Sequence, residues 1–178
     1  MQPVNTQTLD TAGMGYDAVS QLKALKITTT EVAEMVKVKQ AGLSDSTCVQ
    51  VLQIYKSRNQ DFDAGEAIAG LLRAGANEDL ILKLARLNQL GLNAGELQAM
   101  RLAGLPDGVI LAVAQHRATG QPVLSGASLA SMRNLGIGSS TLLVLAQRGI
   151  PDSRAAQIMN MRRHGARDAQ ILRDFAGS

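Results

Sequence analysis

Apolar residues recur along this chain at the spacing of amphipathic helices, in short runs that end at glycine. Leu80, Ile81, Leu84 and Leu87 give the plainest case, and Ile171, Leu172 and Phe175 are the expected buried residues of a last helix from Arg167 to Phe175. Polar residues precede such runs and are predicted to cap or open the helices that follow: the threonines at 28 to 30, Ser44 and Asn77. The pattern predicts an all-α fold of about ten short helices, each of about 9 to 13 residues.

The connection between helices is a repeated four-residue signal. It occurs as Gly104-Leu105-Pro106-Asp107 and again as Gly149-Ile150-Pro151-Asp152. Glycine can close a helix in the left-handed conformation, the next residue can fold back onto that helix, and proline and aspartate suit the start of another. We therefore expect capped helical hairpins with positive φ at Gly104 and Gly149.

The glycines also suggest an internal repeat. Adding 45 to positions 91, 104 and 120 gives the glycines at 136, 149 and 165, and Leu92, Leu97 and Met100 then align with Ile137, Leu142 and Leu145. A helical period of this length is typical of stacked arrays. The sequence predicts a solenoid-like array or a compact bundle with a repeat of roughly 45 residues.

The polar and irregular stretches suggest how the chain is divided. Residues 1–15 are rich in Thr and Gln and are expected to form a flexible arm. The segment from Gly120 to Gly126 contains Pro122 and is the most irregular connection of the second half. We expect one helical lobe over 16–120 and a second over 121–178.

Composition narrows the core and the possible ligands. Hydrophobic residues make up 46% of the chain, but aromatic residues only 2%. The core must therefore consist of aliphatic side chains, and platforms that stack bases or sugars are disfavoured. Cys48 stands alone, so no intramolecular disulfide can form, and its helical spacing predicts a small buried side chain rather than a nucleophile.

Charge is unevenly distributed behind the net value of +3. Residues 1–100 contain 9 Lys and Arg against 11 Asp and Glu, whereas residues 101–178 contain 9 against 4. No apolar run is long enough for a transmembrane helix, and the first ten residues lack the features of a secretory signal. The compartment stays open: a soluble cytoplasmic protein by default, or a bacterial envelope or secreted protein if a signal has been removed.

The search for catalytic groups gives weak candidates. Asp61 and Asp63 lie two residues apart in a predicted loop, which favours a solvated turn over an acid/base pair. His116 and His164 fall in the last turns of predicted helices, where the helix dipole favours a positive charge at the surface. Phosphate-loop, zinc-protease, nucleophile-elbow and dinucleotide motifs are absent from the sequence. We expect no enzymatic activity, no metal site and no cofactor.

Several segments resemble a short helical-hairpin repeat found in bacterial proteins of unknown function, often of the cell envelope. Examples are MVKVKQAGLSDSTCVQVLQIY from Met35 and LLRAGANEDLILKL from Leu71. The resemblance covers about two-thirds of the chain and implies capped hairpins without any activity. The large apolar residue of the motif is replaced at Gly75-Ala76 and Gly165-Ala166.

A narrower resemblance is to the turn of helix-hairpin-helix DNA-binding motifs. It lies at Asn134-Leu135-Gly136-Ile137-Gly138, where backbone amides at a helix N-terminus could meet a phosphate. The family's usual proline and lysine are missing, and Ser139 stands in the lysine position. An ordinary helix stop is the structural alternative. The candidate nucleic-acid-binding residues are Gly136, Gly138, Arg148, Arg162 and Arg163.

These observations lead to a main hypothesis and an alternative. The main hypothesis is a non-catalytic helical-repeat module that binds a protein partner or serves as a scaffold. The alternative is a nucleic-acid-binding module that uses the Gly-Ile-Gly turn and the C-terminal arginines. The sequence identifies neither the partner nor the oligomeric state.

Overall fold

A computed structural model describes residues 3–91 and 93–177 and confirms the all-α prediction. No strand occurs in these residues. The twelve helices of this part are α1 (Gln7–Thr11), α2 (Tyr16–Ala24), α3 (Thr29–Gln40), α4 (Asp45–Ser57), α5 (Gly65–Arg73), α6 (Glu78–Arg86), α7 (Ala94–Leu102), α8 (Asp107–Ala118), α9 (Gly126–Asn134), α10 (Ser139–Gln147), α11 (Ala155–Arg163) and α12 (Asp168–Ala176). A 3₁₀ turn, Asp152–Arg154, precedes α11.

The chain forms two compact units, the first ending at Ala94 and the second beginning at Gly95. The boundary predicted near Gly120 to Gly126 falls inside the second unit instead. There, Ser125 and Gly126 are held by side chains of their own unit: Asp152 accepts the Ser125 N–H at 2.9 Å, and Glu96 accepts the Gly126 N–H. An irregular sequence therefore marks an anchored connection and not a division.

Each unit has its helices in two layers. In the first unit α3 packs between α1 and α5, and α4 packs between α2 and α6. In the second unit α10 packs between α8 and α12, while α9 contacts α11. The flexible arm expected over residues 1–15 is wrong in part, because α1 forms there and Leu9 is fully buried. Burial of one such side chain contributes about 2 kcal/mol toward the entropic cost of ordering α1, which also packs on α3 and α2.

Local caps follow the sequence closely. The side chains of Thr28, Ser44 and Asn77 accept backbone N–H groups of α3, α4 and α6, as predicted. Gly104 and Gly149 have φ of 80° and 69°, which confirms both left-handed turns. In the last helix Ile171 is buried as predicted, but Leu172 and Phe175 are only half-buried, and the Arg154 guanidinium lies over the Phe175 ring at 4.9 Å.

The left-handed residues follow the predicted 45-residue period only in part. Gly104 and Gly149, and Gly120 and Gly165, are left-handed and 45 residues apart, but Gly91 does not share the positive φ of Gly136. Left-handed residues also occur at Lys26, Asn88 and Gly149, 62 and 61 residues apart. In position along the chain, a shift of 45 carries α7 onto α10, and a shift of 62 carries α2 onto α6. Leu92, part of the predicted alignment, lies outside the described residues.

Carboxylates join neighbouring helices of one layer at their N-termini. Asp45 at the start of α4 accepts the N–H of Gly15, the N-cap of α2, at 2.9 Å. Glu78 on α6 accepts the N–H of Ser44 at 2.6 Å, and Asp168 on α12 accepts that of Gly138 at 2.9 Å. We call this contact the cross-helix cap. It supplies an acceptor to a helix N-terminus that would otherwise lack one.

Between α8 and α10 the cross-helix cap is absent, because both of its residues are replaced. The N-cap of α8 is Pro106, which has no N–H to donate. The first residue of α10, which would carry the capping acid, is Ser139, 61 positions after Glu78. The acid is therefore missing where the donor is missing, and Ser139 accepts a hydrogen bond from Arg133 instead.

Candidate functional site

The Gly-Ile-Gly turn has the backbone expected of a helix stop followed by a helix start. Gly136 has φ of 86°, and Gly138 is the N-cap of α10. The Gly138 N–H donates to Asp168 Oδ2 at 2.9 Å, and the Thr141 hydroxyl donates to the same oxygen at 3.0 Å. A phosphate bound to this amide would have to displace a carboxylate of the protein itself.

Arg162 is tied to the same turn by its own hydrogen bonds. Its Nε donates to the carbonyl of Leu135 at 3.1 Å, and its two Nη atoms donate to the carbonyls of Gly136 and Ala166 at 3.2 and 3.0 Å. The guanidinium also lies 3.5 Å from Asp168. The side chain thus links the C-termini of α9 and α11, two helices that contact each other, and carbonyls at a helix C-terminus favour a cation.

The same arrangement recurs at two earlier positions. Lys39 donates to the carbonyl of Leu43 at 3.3 Å and pairs with Asp45 at 2.6 Å. Arg101, 62 residues later, donates to the carbonyl of Leu105 at 3.5 Å and lies 3.8 Å from Asp107. A cation with this contact at three places acts in the turn rather than in ligand binding.

Arg148 and Arg163 are placed differently from Arg162. Both are exposed, at the C-terminal ends of α10 and α11, and neither side chain has an ion pair or hydrogen bond within the described residues. Of the five predicted nucleic-acid-binding residues, the structure therefore brings Gly136, Gly138 and Arg162 together around Asp168. It leaves Arg148 and Arg163 available to a partner.

A second surface was not predicted from the sequence. An open groove of about 550 Å³ runs between α2 and α4, lined among others by Tyr16, Gln21, Val49, Gln50 and Gln53. A smaller hollow of about 240 Å³ shares Gln21, Val49 and Gln53 and extends to Leu25. We call this combined surface the α2–α4 groove.

The chemistry of the α2–α4 groove is almost free of charge. Tyr16 is 83% exposed although it is one of the largest side chains of the protein. The side-chain amides of Gln21 and Gln53 make no hydrogen bond to another described residue, and each of these amides offers both a donor and an acceptor. Asp17 and Asp45 lie at one end, where Asp45 is already bound by Lys39 and by the Gly15 N–H.

The exposure of Tyr16 follows from its place in the layer. Tyr16 is the first residue of α2, the position at which α4, α6 and α12 carry Asp45, Glu78 and Asp168. Within the described residues no helix precedes α2 in its layer. An acid there would have no N-cap to accept from, and an aromatic side chain takes its place.

One carboxylate of the first unit is fully buried. Glu31 accepts hydrogen bonds from Lys56 Nζ at 2.6 Å, the Phe62 N–H at 2.7 Å and the Thr28 N–H at 3.0 Å. Burial opposes its ionisation, but Lys56 and the two backbone N–H groups together lower the pKa below its ordinary value. With its donors all structural, Glu31 fastens the segment before α5 to α3.

The remaining chemical candidates are not arranged for catalysis. Cys48 is buried as predicted, and burial raises the pKa of its thiol to about 12, so no thiolate forms near neutral pH. His116 and His164 bond the carbonyls four residues earlier at 2.9 and 2.8 Å. Asp61 and Asp63 are exposed in the loop before α5.

Comparisons with known proteins supply no homology. No protein-family model matches the chain, and no curated protein matches its sequence. Within residues 3–91 and 93–177, no three His, Cys, Asp or Glu side chains are grouped as metal ligands. In the same part of the chain, no helix combines the length and the apolar character of a membrane-spanning segment.

Proposed function

We propose that this protein is a non-catalytic interaction module that binds a protein partner through the α2–α4 groove. The observation that carries the proposal is a groove with an 83% exposed tyrosine and free glutamine amides, in which Asp17 is, among the described residues, the one lining charge without an ion pair. Tyrosine supplies contact area and a hydrogen bond at little entropic cost, which is why it is frequent in interfaces. Unbonded glutamine amides suit main-chain groups of a partner.

The groove is also placed on a rigid support. Gly15 and Asp45 fix the N-termini of α2 and α4 to each other, and below the groove Leu22 and Leu52 are fully buried. A preorganised surface loses less entropy when a partner binds. This favours recognition by the groove as it stands.

A pull-down from the source cell with matched variants tests the proposal. Val49→Arg places a charge in the α2–α4 groove, whereas Val36→Arg places the same charge on α3, at a residue that is also half-buried and does not line the groove. We expect a protein that wild type and Val36→Arg retain and that Val49→Arg recovers at least about tenfold less. Recovery equal in all three proteins would reject the groove as the binding surface.

Nucleic-acid binding is the second candidate function, favoured by the unpaired Arg148 and Arg163. It is opposed by Asp168, which occupies the Gly138 amide, and by Arg162, which is committed to carbonyls. Phosphate binding needs such groups to be available. The two functions are separated by whether the protein binds duplex DNA, and by how that binding changes with salt.

A further inference from the structure

In the second unit, most acids are paired or hydrogen-bonded within the protein, whereas several arginines have no such partner in the part of the chain that the structure describes. In the second unit, Asp107 and Asp168 pair with arginines, Glu96 pairs with Arg117, and Asp152 accepts from Ser125 and Ser128. Asp174 is the exposed acid without a partner among the described residues of this unit. Against it stand four exposed arginines with no ion pair or side-chain hydrogen bond there: Arg148, Arg163, Arg167 and Arg173.

The recurring contacts indicate where two of these arginines lie. The pair α10 and α12 is equivalent to the pair α2 and α4, because Gly138–Asp168 repeats Gly15–Asp45 with the same 2.9 Å bond, 123 residues later. The left-handed residue after α2, Lys26, corresponds at the same offset to Gly149 after α10. The helices of each pair also pack directly on each other.

The same offset of 123 residues relates residues of the α2–α4 groove to residues of α10 and α12. Leu25 and Gln50 correspond to Arg148 and Arg173, and Gln21 and Val49 correspond to Val144 and Leu172. Val144 and Leu172 are half-buried, and both arginines are exposed. We call these four residues the α10–α12 face: a half-buried aliphatic side chain and an exposed arginine from each of two helices that pack on each other.

We propose that the α10–α12 face binds an acidic polypeptide segment that also carries apolar side chains. Carboxylates can form paired hydrogen bonds with a guanidinium, and Val144 and Leu172 give aliphatic side chains a surface to cover. The α2–α4 groove is lined by two acids and no base, whereas the α10–α12 face has two arginines, and this difference in charge points to two different partners. This proposal does not depend on the α2–α4 groove.

An acidic polypeptide fits the face better than a nucleic acid does. The half-buried Phe175 is covered by Arg154 and offers no ring for stacking bases. The nearest helix N-terminus, at Gly138, already holds the Asp168 carboxylate. Arginine side chains beside aliphatic ones complement a chain that alternates acidic and apolar residues.

Fluorescence anisotropy with defined probes tests the proposal. The probe is a labelled peptide of repeating Glu-Leu-Glu-Gly units, compared with a Gln-Leu-Gln-Gly peptide of equal length and with a single-stranded oligonucleotide of equal charge. We expect the acidic peptide to bind more tightly than both at about 50 mM salt. Absence of binding by the acidic peptide at this salt would overturn the proposal.

Matched variants locate the binding. Arg148→Gln with Arg173→Gln should weaken the acidic peptide by about tenfold or more, because both charge-assisted contacts are lost. Lys23→Gln with Arg86→Gln removes the same charge from exposed, unpaired residues of the first unit and should change the affinity by less than about twofold. Equal losses in the two proteins would mean attraction to net charge and no site. Tighter binding of the oligonucleotide, lost in the arginine variant, would reassign the face to nucleic acid.

Discussion

The two units use one turn design with different side chains. Lys39, Leu43 and Asp45 in the first unit and Arg162, Ala166 and Asp168 in the second make the same three-part contact. Arg162 makes more hydrogen bonds than Lys39, because its guanidinium also donates to the carbonyls of Leu135 and Gly136 at the C-terminus of α9. The backbone of the turn is thus common to both units, and the charged residue decides how many helix ends it joins.

The units differ most in what stabilises the helices away from the turns. The first unit contains the pair of Lys56 with the fully buried Glu31, whereas none of the acids among the described residues of the second unit is buried. The second unit has the half-exposed pair of Glu96 and Arg117, and Glu96 accepts the Gly126 N–H as Glu34 accepts that of Gly65 in the first unit. A fully buried ion-paired carboxylate therefore distinguishes the first unit.

The largest effect is expected from breaking the buried pair. Glu31→Ala leaves the Phe62 and Thr28 N–H groups and Lys56 without their acceptor and should lower the free energy of unfolding by about 3 to 5 kcal/mol. Glu66→Ala, which breaks an exposed pair with Arg73, should cost less than about 1 kcal/mol. Urea titration followed by circular dichroism measures both. Equal costs would contradict the assignment of Glu31 as a buried fastener.

The same carboxylate predicts a dependence of stability on pH. Because the pKa of Glu31 is lower in the folded protein than its ordinary 4.5, its contribution is complete above that value and is lost as pH falls below it. Asp45 has its pKa lowered chiefly by Lys39, and Asp152 chiefly by Ser128. The unfolding free energy of wild type should fall between about pH 5 and pH 3. Glu31→Gln should fall less steeply, and identical slopes would refute the role given to Glu31.

Two equivalent glycines sharpen the comparison between the units. A Cβ on Gly65 would lie 2.6 Å from the backbone oxygen of Glu34, whereas a Cβ on Gly126 would meet only side-chain atoms of Glu96 and Met100, at 2.6 and 2.7 Å. Backbone cannot yield as side chains can. Gly65→Ala should cost about 2 to 3 kcal/mol and Gly126→Ala about 1 kcal/mol, measured as urea midpoints. The reverse order would show that the first unit is the more adaptable one.

The left-handed turns give the next smaller effects. Replacing Gly104 or Gly149 by valine should cost about 1 to 2 kcal/mol through left-handed strain. Alanine should cost more at Gly149, where a Cβ would lie 3.1 Å from the Pro122 carbonyl, than at Gly104, which has open space. Gly95→Ala, within α7, should be neutral or stabilising by up to about 1 kcal/mol. Thermal melts that rank Gly95→Ala with the other variants would contradict the turn assignment.

Local features of the fold could be predicted from the sequence, and long-range ones could not. The side chains of Thr28, Ser44 and Asn77 each accept the backbone N–H of the residue three positions later. Both partners of each cap therefore lie within one short stretch of sequence. The left-handed conformation of Lys26, Asn59 and Asn88 was not predicted, because lysine and asparagine only tolerate a backbone conformation that glycine prefers. Asparagine at a helix end was a usable signal for two of them.

The candidate sites show the same limit. The sequence identified the Gly-Ile-Gly turn but not that Asp168, 30 residues away, fills its amide. The α2–α4 groove depends on which helices are neighbours. The sequence does not show that α2 packs on α4, because α3 lies between them in the chain. Three glutamines spread over two helices carry no signal until α2 and α4 are placed side by side.

The smallest effect is expected in the measurement that separates the two candidate functions. We predict no strong binding of duplex DNA near 150 mM salt, because counterion release needs unpaired cations and affinity of that kind falls steeply with salt. Arg162 is held by three carbonyls, and a Cβ on Gly138 would lie 3.0 Å from Asp168, which shows how closely the acid covers the amide. Fluorescence anisotropy of labelled duplex at low and moderate salt is the measurement. Gly138→Val and the double change Arg162→Ala with Arg163→Ala serve as controls. Sub-micromolar binding at the higher salt that both variants abolish would make the second unit a nucleic-acid-binding element and end the view of Asp168 as a permanent occupant of the turn.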